Sequence, residues 1–204
     1  MSPEAHSLRV VTESNLSDGS KETSVGSVSF KVARSKAPSG QLSHEFKGNP
    51  VRGEADVLQV CRSLQEALSR ARIEIVGAFH IPQGHETGID AEGETTTGSI
   101  VRVQVVGVID QETMAALGRD GQVSSQRTAE ELAGDICSAI KRKSAAYPNS
   151  LRAEVVLALD AIRSPGHVDP EVIMAVTREP CVQILRSSGF ASIWLVGPTG
   201  PLTH

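Results

Sequence analysis

The sequence predicts an α/β protein, a mixed five-stranded sheet flanked by helices, and three observations carry that prediction. Apolar residues between 54 and 72 recur at three- and four-residue spacings, the mark of an amphipathic helix on a core. Five short runs follow, four of them rich in Val, Ile or Leu and the second, over 85–94, inferred from the turns on either side of it. Short turns join the first three runs, as in an antiparallel meander, whereas helical stretches separate the last two from what precedes them, as parallel strands require.

In order, the helix over 54–72 places Val57, Cys61, Leu64 and Leu68 inward and Gln59, Arg62, Glu66 and Arg70 outward. A strand over 73–81 ends at Pro82, and a second strand over 85–94 returns through Gly88, Ile89 and Asp90. After a Thr-rich turn at 95–98, residues 99–109 form the most apolar strand and the candidate for the middle of the sheet. Alternation puts Ile100, Arg102, Gln104, Val106 and Val108 on one face and Val101, Val103, Val105 and Ile109 on the other. A short helix over 111–117 is broken by Gly118 to Gly121. Thr128 with Glu131 then forms a capping box that opens a helix ending near Lys141, Arg142 and Lys143. Residues 147–149 connect to a buried strand over 154–160. Asp169 and Pro170 then start a helix reaching Ser188, which Pro180 kinks or splits, and the last strand covers 190–196.

The 204 residues divide at about residue 50. Residues 1–50 are rich in Ser, Lys, Glu and Gly and read as a flexible segment with one short strand around 27–32; residues 51–204 form the α/β domain. Six basic residues face five acidic ones in the first fifty, leaving 14 against 19 in the rest, so any nucleic-acid binding depends on a local patch. Cys61, Cys137 and Cys181 are widely spaced in apolar helical patterns, which predicts reduced core thiols. No stretch is long and apolar enough to cross a bilayer, and no basic start leads into an apolar run. The expectation is a cytoplasmic chain with no membrane partner.

Arg102 and Gln104 are polar side chains inside an apolar strand and need partners, because an unpaired buried polar group costs about 1–3 kcal/mol. A helix, a three-strand meander, a crossover helix and a further strand, with Asp90 on the second strand and Gln104 on the third, resemble the PD-(D/E)xK superfamily of restriction-endonuclease-like phosphodiesterases. The resemblance covers 54–196 in topology. It implies that Asp90 and Gln104 hold a divalent metal such as Mg²⁺, that Glu66 is an auxiliary ligand, and that Arg102 stabilises phosphate charge. The chain departs from the pattern at Val106, where the family has Lys, and so lacks the cation that steadies the attacking water.

The expected function is therefore metal-dependent phosphodiester cleavage, or nucleic-acid binding by a member that has lost its cation. The alternative is a non-enzymatic interaction protein using residues 1–50 to reach a protein partner. A different architecture, a doubly wound sheet, instead puts a small-molecule or nucleotide site at Asp160 and His167, at the end of a buried strand.

Overall fold

The computed structural model describes residues 8–13, 20–25, 28–36, 42–47, 53–83 and 88–199, the first four segments by their backbone. Strands β1 (Leu8–Glu13), β2 (Ser20–Val25), β3 (Val28–Lys36) and β4 (Leu42–Lys47) precede helix α1 (Glu54–Arg70). The meander follows as β5 (Ile75–His80), β6 (Ala91–Thr95) and β7 (Ile100–Gly107). Next come α2 (Gln111–Asp120), β8 (Gln122–Arg127), α3 (Ala129–Ala146) and α4 (Asn149–Arg152). The chain ends through β9 (Val155–Asp160), a 3-10 turn (Pro165–Val168), α5 (Pro170–Val176), α6 (Cys181–Ser187) and β10 (Ser192–Thr199).

The five expected strands form one mixed sheet in the order β5-β6-β7-β9-β10. Strand β6 is antiparallel to both neighbours, while β7, β9 and β10 run parallel. Strand β1 extends this sheet beside β10, again parallel, and β2, β3, β4 and β8 make a second, antiparallel sheet. The reading of residues 1–50 has one short strand, overlapping what is now β3; the backbone adds β1, β2 and β4. Strand β2 is almost wholly polar, and the apolar residues of β1 and β4 are too few, in runs of six, to stand out from the Ser-, Lys- and Glu-rich sequence around them.

Side-chain alternation sorts the sheet into two cores. Val103 and Val105 of β7, Val156 and Ala158 of β9, and Trp194 and Val196 of β10 face α1, whose Val60, Cys61, Leu64 and Leu68 are buried against them. Val106 and Val108, Leu157 and Leu159, and Ile193 and Leu195 face α3, α5 and α6 instead. All six residues of β9 are buried because helices cover both of its faces.

Several boundaries differ from the sequence reading for identifiable reasons. The return strand is shorter, Ala91–Thr95, and residues 85–87 of its expected span lie outside the described residues. Helix α2 continues through Gly118 and stops at Gly121, whose left-handed φ of 69° suits a residue without a Cβ. Strand β8 follows at once; its polar run finds its pairing partner far away in the chain, in β4. Pro180 splits the last helical stretch into α5 and α6.

The expectation of three reduced thiols is corrected at two of them. Cys137 on α3 and Cys181 on α6 form a disulfide, and Cys61 is a buried thiol. Their separation of 44 residues gives no local signal, but the packing of α6 on α3 brings their Cα atoms to 5.8 Å, within bonding range. Among the described residues no helix is long and apolar enough to cross a membrane.

An ionic cluster joins α2, β8, α3 and the 3-10 turn. Arg127 contacts Asp110 at 3.2 Å and Asp135 at 3.0 Å, and Asp135 lies 3.3 Å from the buried His167. Asp110 also caps α2, accepting from the Thr113 amide at 2.8 Å and its hydroxyl at 2.6 Å. Partial burial pushes the Asp110 carboxyl up, but the Thr113 hydrogen bonds and the Arg127 charge outweigh it and hold the group below its ordinary value.

Two predictions follow from these ties. A carboxylate with a lowered folded-state pKa contributes stability that is present above its unfolded value, about 3.9, and is lost as pH falls through the folded value. Asp110→Ala should therefore cost about 1 kcal/mol near neutrality, with the difference in Tm from the parent narrowing in acid. A constant difference across pH would show that the charge contributes nothing. Separately, closing the loop between Cys137 and Cys181 is worth about 4 kcal/mol in the chain-entropy treatment. Reduction should lower Tm, and the denatured, unreduced chain should titrate a single thiol rather than three.

Candidate functional site

Gln104 lies in the middle of β7 on the face turned toward α3, and only 3% of it is exposed. Its amide is served from two directions. Asp90, just before β6, donates its backbone N–H to the Val103 carbonyl at 2.9 Å. The same residue's Oδ2 accepts from the Val105 amide at 2.7 Å and from Gln104 Nε2. Tyr147, which ends α3, aims its hydroxyl at Gln104 Oε1 and at the Gly88 carbonyl, 2.7 Å away. Gly88 adopts a φ of 68°, and a Cβ there would stand 2.7 Å from the Tyr147 oxygen, so this position requires glycine on two counts.

Burial, with the Asp90 charge adding to it, pushes the Tyr147 phenol above its ordinary value and keeps it a donor. The same two causes, in the same order, push the Cys61 thiol up to about 12, so it is not a working nucleophile.

The structure thus brings Asp90 and Gln104 together. It does not bring the other two expected site residues to them. Arg102 turns to Glu154, at 2.7 Å, and Glu92, at 3.4 Å, on the open part of the sheet face. Glu66 is exposed on α1, which packs against the opposite face. The donor set does not fit Mg²⁺: it offers one carboxylate whose Oδ2 already accepts two N–H groups, and an amide whose oxygen accepts Tyr147. Among the described residues no three His, Cys, Asp or Glu side chains converge to hold a metal. Chemically, this arrangement is a hydrogen-bonded clasp joining the start of β6, the middle of β7 and the end of α3.

Beside the clasp, at the carboxyl ends of β7 and β9, is a cavity of about 340 Å³. Val105, Val106, Ile109 and Met114 supply its apolar wall. Arg142 and Lys143 from α3, with Asp160 at the end of β9 and Arg163 in the connection that follows it, supply its charged one. Arg163 also pairs with Asp56 in the first turn of α1, and the buried Asp160 accepts from the Ile162 amide at 3.0 Å. The Lys143 ammonium lies 5.8 Å from the centre of the Tyr147 ring, so the cationic wall adjoins the clasp.

Asp160 stands where the doubly wound reading put a ligand site, at the end of a parallel strand; His167 is instead buried against Asp135. Sequence reading missed Tyr147 and Arg163 and took Arg142 and Lys143 for helix-end charges. The one signal available was that Arg163 lies three residues after Asp160, just past the buried strand over 154–160.

No protein-family profile matches the chain, and neither does any curated protein or solved structure.

The clasp makes a quantitative prediction. Tyr147→Phe leaves the Gln104 oxygen without its donor and should destabilise the protein by about 1–3 kcal/mol. Removing both partners in Tyr147→Phe with Gln104→Leu should cost less than the two single changes added together. Denaturant titration measures both, and strict additivity would show that the two side chains do not interact.

Proposed function

We propose that the chain is a nucleic-acid-binding member of the restriction-endonuclease-like fold in which hydrolysis is impaired. One observation carries the reading: three cations, Arg142, Lys143 and Arg163, converge on one cavity at the carboxyl ends of two parallel strands. Ligands of open α/β sheets bind in that position. Guanidinium and ammonium groups recognise phosphate oxygens there by charge-assisted hydrogen bonds. The chain carries a net charge of −4, so attraction to a polyanion is local to this wall.

The strand order, with β6 alone running against the rest, and the pairing of Asp90 with Gln104 support kinship with that fold. Val106 in place of lysine, and the engagement of the Asp90 and Gln104 side chains with each other, support loss of the hydrolytic step. A second reading, an interaction protein, has its own observation: Val76 and Ile100 are more than half exposed and flank Glu94 on the uncovered part of the sheet.

The test is fluorescence anisotropy with a short labelled single-stranded oligonucleotide at low salt. The wild-type chain should bind, and Arg142→Glu with Lys143→Glu should abolish binding while leaving the circular dichroism spectrum unchanged. Addition of Mg²⁺ or Mn²⁺ should leave the oligonucleotide intact. Binding that survives charge reversal would remove the cavity from the proposal. Metal-dependent cleavage lost on Asp90→Ala would restore a working nuclease.

A further inference from the structure

We propose that the cavity takes a single nucleotide unit, a terminal phosphate together with its base, and does not track a run of phosphodiester backbone. The inference rests on the nucleic-acid reading above and narrows it. A protein that follows a strand needs cations spaced along a line so that successive phosphates are met in turn. Here the cations do not form a line: Arg142 and Lys143 are consecutive on α3, and Arg163 comes from the connection after β9, all around one cavity of about 340 Å³. That volume is at the low end for a small-molecule site.

The wall is divided by chemistry in the same way as a nucleotide. Val105, Val106, Ile109 and Met114 offer an apolar surface for a base, with the polarisable Met114 sulfur suited to a ring face. The cations offer donors for a dianionic phosphate end, which they hold better than a singly charged diester. Asp160 also lines the cavity, beside Gly107 of β7, and its Oδ1 accepts from the Ile162 amide. Beyond the cavity the balance turns against further phosphates, since residues 51–204 carry 14 basic against 19 acidic side chains.

The experiment uses the full chain and a labelled oligonucleotide carrying a terminal phosphate. Unlabelled mononucleotide should displace it, removal of the terminal phosphate should weaken binding by about tenfold or more, and inorganic phosphate should compete much less well than the mononucleotide. With one terminal phosphate engaged, the slope of log affinity against log salt should be shallow, roughly −1. Met114→Asn, which adds no charge, should weaken the mononucleotide and leave competition by inorganic phosphate unchanged.

If the oligonucleotide binds with a much steeper salt slope, with affinity rising with length and no effect of mononucleotide, the single-unit site is overturned while nucleic-acid binding stands. If inorganic phosphate competes as well as the mononucleotide, the apolar wall has no role and the inference falls. If neither oligonucleotide nor mononucleotide binds, this inference and the functional reading fall together.

Discussion

A primary amide buried in the middle of an apolar strand must have both of its ends satisfied, and much of the local architecture follows from how this chain satisfies Gln104. Its N–H end takes Asp90, which sets where β6 begins against β7, because Asp90 also exchanges hydrogen bonds with the backbone on either side of Gln104. Its carbonyl end takes Tyr147, which fixes the end of α3 over the sheet and, through the Gly88 carbonyl, the turn entering β6. A one-residue slip of β7 would bury Arg102's neighbours differently and turn the amide toward α1, so the clasp also specifies register. The polar group that looked like the mark of a catalytic site is thus occupied in holding three elements together.

That distinction shows what the sequence could and could not disclose. The long periodic helix and the apolar strands were legible because their burial is written into alternation: Val103 and Val105 against Val106 and Val108 divide between the two cores as the pattern requires. The pairing of Asp90 with Gln104 was legible too, since adjacent strands in a meander bring such residues side by side. What the pattern does not contain is the third partner. Tyr147 lies 43 residues beyond Gln104 and meets it only because α3 crosses back over the sheet. The Cys137–Cys181 bond is hidden for the same reason, and β8 because a polar strand at distance from its partner has no signature of its own. Arg102 was misplaced by a different mechanism: it lies near the open end of β7, where Glu92 and Glu154 offer carboxylates closer than any buried partner.

The cavity arises from the same parallel pairing that makes the sheet. The β7–β9 ladder ends where the Val108 amide reaches the Asp160 carbonyl at 3.4 Å. Past that point one chain leaves toward α2 and the other toward the 3-10 turn, so the strand ends diverge and a space opens between them. Three cations from two separate elements border that space, in a chain whose overall charge is negative. Like charges brought together this way repel one another, and carboxylates stand among them: Asp56 pairs with Arg163, and Asp160 shares the lining. In the proposed reading an anionic ligand offsets that concentration of positive charge. A site of this kind depends on the shape of one cavity rather than on the field of the whole molecule, which is why composition gave no sign of it and why its ligand is expected to be small.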